Sequence, residues 1–503
     1  MRVSSAREGH LTVQSLGAER GRTRRMRNMN DVGKLKLREK VAYGFGDLAS
    51  VLYWQTFMAY LMLYYTDVFG ISAAAVATMF LVSRLWDGVN DPMMGMLADR
   101  TETRWGKFRP YLLWICVPFA VVGVLTFTTP GLGPTGKLVW AYVTFVLLMM
   151  LYTAINIPYT AMLGVLTPNP NERTSLSAVK FLFAFGAGVI VSATLLPMTK
   201  ALGAGSAARG WSLSFMIYGA AAILFFLITF AGTRERVRPP RTQKTTIQQD
   251  IRDLVSNRPW VILLLTTITF ILFVATRMSA TAHYFKYYIG EQTLKLPFVA
   301  EATYSFETLV SAYNTIGQVA AIAGVLLVSW FARQVGKKRA FVILFVISIF
   351  ATAAFYFFEP SQLLPIFALQ VVGSITGGPL SVLIWAMYAD AADYAEWKQG
   401  RRATGLVFSA STMSQKMGWA IGSAVAGWIL SAVGFQPNVD QTDEVRHGLL
   451  LLVSLIPAAL GVRAVVVVLF YPLSDAKVAE IERELRQRRA ASGEDAGEAV
   501  APA

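Results

Sequence analysis

Residues 138–166 read LVWAYVTFVLLMMLYTAINIPYTAMLGVL, twenty-nine positions without a charged side chain. A helix needs roughly 20 mostly apolar residues to cross a bilayer. The run is continuous rather than alternating, so it reads as a helix and not as a barrel strand. Only these two structures satisfy backbone polarity in lipid. The pattern recurs along the chain, with approximate spans at 43–66, 72–97, 111–129, 138–166, 175–199, 211–233, 260–289, 308–331, 340–358, 362–392, 404–434 and 448–471. The composition agrees: 54% of the 503 residues are hydrophobic and 15% charged, against about 25% charged in an average soluble domain. The expected fold is an all-α polytopic membrane protein with twelve transmembrane helices.

The net charge of +15 raises a nucleic-acid reading, but the basic residues sit in loops between apolar spans, as topology signals do. Arg100, Arg104, Lys107 and Arg109 follow the second span; Arg333, Lys337, Lys338 and Arg339 follow the eighth; Lys398, Arg401 and Arg402 follow the tenth. The alternate connections, Thr66 to Ile71 and Glu359 to Gln362, contain no Lys or Arg. Both termini are therefore expected in the cytoplasm of a cell whose plasma membrane, a bacterial inner membrane, holds the chain. Residues 1–40 are polar and Arg-rich with no apolar core, so no secretory signal is expected there, and Met26 and Met29 are alternative starts. The single cysteine, Cys116, lies inside a span and points to neither a disulfide nor zinc.

The segment Thr233–Asn257, rich in Arg, Pro, Thr and Gln, divides the spans into two sets of six. The expected units are a basic, partly disordered N-terminal segment (1–40), a first half (41–233), a central loop (234–258), a second half (259–471) and a tail (472–503) with a short amphipathic helix at 475–490. The halves echo each other. LADRTETRWGKFR (97–109) and WFARQVGKKR (330–339) occupy corresponding places, as do NERTSLS (171–177) and GRRATGL (400–406). Repeated halves around a midplane site are a transporter architecture. HExxH, nucleophile-elbow and Walker motifs are absent from the sequence, which weighs against a membrane enzyme.

Charged residues inside apolar spans mark the candidate site. In SRLWDGVNDPMMG (83–95), Asp87 and Asp91 are one helical turn apart on one face, with Arg84 a turn earlier, Asn90 adjacent and Pro92 able to loosen nearby carbonyls. Two such carboxylates require a cation, a proton or a basic partner. Lys416, a dozen residues into the eleventh span, is the natural partner; it reads otherwise as a lysine snorkelling to the interface. In YTAINIPYTAM (152–162), Thr153, Asn156 and Tyr159 share roughly one face and suit a polyhydroxylated ligand, or else interhelical hydrogen bonding. Trp385 and Tyr388 in the tenth span read the same two ways. Asp47, in YGFGDLAS (43–50), reads as a gating or substrate group or as an interfacial helix-start residue. The loops bearing Arg104 and Lys107, and Asp390, Asp393 and Arg402, read as charge pairs of a cytoplasmic gate.

Six motifs in order, YGFGDLAS with YYTDVFG, RLWDGVNDPMMG, TRWGKFRP, NERTSLS, YADAADYAEWKQGRRATG and QKMGWAIG, run from residue 43 to about 435. Together they resemble the glycoside–pentoside–hexuronide:cation symporters of the major facilitator superfamily. The resemblance implies a cation site at Asp87, Asn90, Asp91 and Thr153, and a solute-site lysine at Lys416 approached by Thr412 and Gln415. It also places Lys180 where the family has a fifth-span arginine. The chain departs from the melibiose-type sugar clamp: Val51 and Asn156 stand where that clamp has aspartates, Thr160 where it has an aromatic residue, and Ser381 where it has a tryptophan, with Trp385 a turn on. The expectation is a symporter, without cofactor and monomeric, that couples Na⁺ or H⁺ to a sugar-type solute by alternating access. The rivals are a same-fold carrier of lysolipids or other amphiphiles, and a non-transporting sensor or membrane enzyme.

Overall fold

In the computed structural model, residues 34–167, 169–236, 252, 254–294, 302–399 and 404–492 are described. Most of the N-terminal segment expected to be partly disordered (1–40) lies outside them, as does the chain from 493 on. The first half holds α1 (Leu37–Leu63), α2 (Ala73–Arg100), α3 (Arg109–Thr126), α4 (Pro134–Val165), α5 (Pro170–Gly203) and α6 (Ala207–Gly232). The second holds α7 (Arg258–Tyr284), α8 (Phe306–Val335), α9 (Lys337–Ala354), α10 (Leu363–Gln399), α11 (Thr404–Ala432) and a twelfth span in two pieces, α12 (Asp443–Val453) and α13 (Leu455–Leu469). A hairpin, β1 (Gln292–Leu294) with β2 (Ala302–Tyr304), precedes α8.

Among the described residues, nine helical stretches are long and apolar enough to cross a membrane by length and composition. The three further helices of spanning length are α1, α2 and α11. They are the ones that carry Asp47, Arg84, Asp87, Asp91 and Lys416, as expected of helices that line an interior rather than face lipid.

Several ends differ from the sequence expectation. The first helix of each half closes in a π-helical turn, Tyr64–Phe69 and Phe285–Ile289, each ended by a glycine of positive φ, Gly70 (84°) and Gly290 (70°). The twelfth span starts earlier than expected and breaks at Ser454. Pro457 lacks the N–H that would bond the Val453 carbonyl one turn back, and Arg277 takes that carbonyl at 3.3 Å instead. The first half also reaches into the expected central loop. Glu235 accepts backbone N–H groups of Lys107, Phe108 and Arg109 at 2.8–2.9 Å, and Arg236 donates to the Val165 carbonyl at 2.8 Å and to Glu39 at 2.5 Å. The tail helix α14 (Asp475–Ser492) buries Val478, Ile481 and Leu485 against the second half.

The halves meet along α2 against α11, α5 against α8 and α1 against α7. The core shows where this contact is tight. One buried cluster joins the first half to the second-half residues farthest from the termini, among them Tyr284, Phe285, Tyr313, Leu430 and Leu449. The other stays within the second half and holds residues nearer the termini, such as Trp260, Phe341, Tyr388 and Ile481. Gly427 lies so close to α2 that a Cβ would sit 2.8 Å from the Ala73 carbonyl oxygen. The described hydrogen bonds between halves run from this far end down to the Lys416–Asp91 pair. The molecule is thus closed at the end opposite the termini, with its cleft toward the termini.

Candidate functional site

The site forms where α2, α4 and α11 converge, with α1 and α5 beside them. On α2 the predicted stacking holds: Arg84 donates to Asp87 at 2.7 Å, one turn along the helix. The Arg84 guanidinium also lies 4.9 Å over the ring of Trp54, which stacks on Tyr152 at 5.5 Å. Asp87 is 1% exposed, and its other oxygen, Oδ1, has no hydrogen-bond partner among the described residues; neither has the Nδ2 of Asn90. Asp91 faces the cleft. Thr153 donates to its Oδ1 at 3.0 Å, and the Lys416 ammonium is paired with its Oδ2. Lys416 therefore crosses between halves to the carboxylate pair.

This cluster holds two carboxylates, two cations, an amide and a hydroxyl, with one buried carboxylate oxygen left over. Removing one partner of a buried ion pair costs on the order of 3–5 kcal/mol. Arg84 and Lys416 supply the opposite charges that face these two carboxylates. The oxygens of Asp87, Asn90, Asp91 and Thr153 are donors that fit a hard cation, and the Lys416 ammonium occupies the place on Asp91 that such a cation would compete for.

A second charge pair lies on α1 and α5. Asp47 is 3.7 Å from the Lys180 ammonium and buried eleven residues into its helix, so the helix-start reading is overturned. Asp47 stands one turn before Val51 on α1.

Tyr159 requires correction. Its ring is fully buried, stacks on Tyr43 at 4.7 Å and packs against Gly46, where any side chain would collide with it. Its hydroxyl donates to the Tyr43 carbonyl at 2.9 Å. It supports Lys180, which lies 5.5 Å over the ring, and does not open on the cleft. Each three-residue step along a helix drifts by about 60°, so two steps from Thr153 turn Tyr159 toward α1. Asn156 is half-buried and accepts from Thr160 at 3.5 Å. On α11, Thr412 is exposed and Gln415 half-buried beside Lys416. On α10, Trp385 is half-buried at 5.9 Å from Tyr388, whose hydroxyl is bonded to Thr267 at 2.8 Å.

Of the expected gate charges, Asp390 is held within its own half. Lys337 donates to both oxygens of Asp390 at 2.5–2.6 Å, within the second half. Arg104 stacks over Trp105 at 4.5 Å, and Lys107 gives its backbone N–H to Glu235 at 2.9 Å. Asp393 is half-buried on α10. Arg402 lies outside the described residues. Sequence reasoning missed Trp54 and Tyr152, which read as ordinary span aromatics, and Glu235, which sits in a charged stretch without pattern.

Comparison with known proteins agrees with this architecture. The family model for MFS/sugar transport proteins matches residues 42–475. The chain is 36% identical to the isoprimeverose transporter of Lactiplantibacillus pentosus, over 90% of this chain and 92% of that protein. It is 33% identical to the inner membrane symporter YicJ of Escherichia coli, over 90% and 95%. Its fold matches an inward-facing bacterial homologue of the human lysosomal transporter Spinster, with a TM-score of 0.61 and 16% identity over 87% of this chain and 98% of that one. The motifs, the paired halves and the match across nearly all of the spans lead to one conclusion: the chain belongs to the MFS/sugar transport family, among the glycoside–pentoside–hexuronide:cation symporters of the major facilitator superfamily.

Proposed function

We propose that the protein is a cation-coupled symporter of a sugar-type solute in a bacterial inner membrane, with both termini cytoplasmic and the present state open to the cytoplasm. The observation that carries this reading is the Lys416–Asp91 pair beside the unpartnered Asp87 oxygen. Without a cation, Lys416 neutralises Asp91. A cation bound among Asp87, Asn90, Asp91 and Thr153 displaces the ammonium, and the freed Lys416 turns to solute hydroxyls. The names of the isoprimeverose and inner-membrane symporter relatives support the same assignment.

Na⁺ is favoured, because Asp87, Asn90, Asp91 and Thr153 all bear oxygen ligands, and Thr153 lies 3.0 Å from Asp91. The second reading, a proton shared by the carboxylates, is favoured by the depth of Asp87 at 1% exposure. For the solute, Asp47 and Lys180 at 3.7 Å suit neighbouring hydroxyls, one donating to the acid and one accepting from the ammonium. Arg84 and Lys180 keep their acids, and Lys416, freed by the bound cation, offers its ammonium to the solute, a glycoside, pentoside or uronide. Uptake into proteoliposomes tests the reading. Asp87→Asn and Asp91→Asn are each expected to abolish cation-driven uptake while folded protein remains in the membrane. Wild-type uptake by the double variant contradicts the site. Full uptake on a pH gradient without Na⁺ assigns the proton instead.

A further inference from the structure

At the closed end of the molecule lies an acid that belongs to neither charge cluster above. Asp67, in the π-turn after α1, has a side chain 2% exposed. From the second half, Lys286 donates to its Oδ1 at 2.6 Å and the Tyr287 hydroxyl donates to the same oxygen. The other oxygen lies 2.5 Å from the Thr66 hydroxyl and 3.4 Å from His283 Nε2; Thr66 and His283 are themselves 2.9 Å apart. The backbone carbonyl of Asp67 accepts from the side-chain amide of Asn438 at 2.7 Å, and Asn438 also accepts from Lys286 at 2.7 Å.

The two π-turns are equivalent in sequence. YYTDVFG (64–70) and YFKYYIG (284–290) each end on a positive-φ glycine, and in that register Asp67 corresponds to Tyr287. Residues at the same place in the two halves are therefore bonded to each other, where the halves' repeat brings them face to face. A contact there must break whenever this end opens. Its chemistry suits repeated breaking, since polar bonds exchange for water at small net cost.

We propose that Asp67 is the latch of the outer gate, and that its carboxylate, bonded to Lys286 and Tyr287 of the opposite half, holds the outward face shut. The inference rests on the alternating-access reading but on neither the sugar nor the cation assignment. The test is labelling of the full-length protein in intact cells with a membrane-impermeant maleimide. Cys116 is replaced by Ala, and Met58→Cys is introduced as the probe. Met58 is buried between the latch and the cation site, lining a small cavity with Arg84, Trp419 and Ser423. Asp67→Asn is expected to raise the labelling rate about fivefold or more. The exchanged pair Asp67→Lys with Lys286→Asp is expected to return it toward the native rate. Tyr287→Phe removes one bond without removing a charge and carries the test if Asp67→Asn does not reach the membrane. Native labelling rates in both single variants overturn the proposal. So does a raised rate in Asp67→Asn that charge exchange leaves unchanged, since the acid would then be holding the fold and not the gate. Labelling does not depend on transport, so a wrong solute or cation would show in uptake alone.

Discussion

Lys416 has two claims on it, and they oppose each other. In the cation-free state it is the only cationic partner described for Asp91. On the proposed mechanism, Lys416→Ala removes the competitor for the coupling cation as well as a solute contact. The expected result is tighter cation binding with little or no solute uptake, read as a lower half-saturating Na⁺ concentration in thermal-shift titration and a flat uptake curve. An unchanged Na⁺ midpoint would place the lysine outside the cation's path. Arg84 is different: it is 6% exposed and held between Asp87 and Trp54 within the first half. The residues of this cluster were readable in the sequence because a charge inside an apolar span stands out from its surroundings. Asp67 was not readable as a gate, although its motif was noticed, because an acid at the rim of a span is ordinary there. Tyr159 misled because three-residue spacing resembles a face over one step and leaves it over two.

At the scale of elements, two small devices recur in both halves. The loop after α2 turns at Gly106 (φ 112°), whose Cβ would sit 2.5 Å from the Glu235 carboxylate; the loop after α8 turns at Gly336 (φ 89°), where a Cβ would run into Asp475. In each half an acid just beyond the last span reaches back to the N-terminus of the third helix, where backbone N–H groups favour negative charge. Gly106→Ala sets a side chain against both the φ angle and the acid, and is expected to cost about 1–3 kcal/mol. It should lower the melting temperature in detergent and leave Na⁺ affinity unchanged. Equal melting of variant and parent would show that the loop yields freely. The break in the twelfth span depends on Arg277, which binds the Val453 carbonyl, the Tyr313 hydroxyl at 2.7 Å and Gln370 at 3.3 Å, and lies 4.7 Å over Phe355. Arg277→Met strands a carbonyl and should cost about 1–3 kcal/mol by the same measurement. The proline that frees the carbonyl was visible in the sequence. The arginine that answers it was not, since the two are separated by most of the second half.

For the whole molecule, twelve spans in two halves followed from apolar run lengths and from the placement of basic loops, and neither depends on tertiary detail. The conformational state did not follow, because a carrier's sequence must fit its open and closed forms alike. If cation and solute share one coupled cycle, a saturating coupling cation should tighten solute binding by about 5–150-fold, and solute should tighten cation binding by the same factor. Calorimetric titration in both orders checks this, and unequal factors would rule out a single linked equilibrium. The paired acids have a consequence for assembly. Glu235 lies before the connecting segment and Asp475 at the start of the tail, so each half carries its own clasp and borrows none from the other. A chain severed after Lys244 would thus yield two pieces, each already buckled, whose mutual recognition lies in α1, α2 and α5 against α7, α11 and α8. Made together from separate messages in one cell, the two pieces should find each other in the bilayer and restore uptake, while either piece made alone should insert and remain idle.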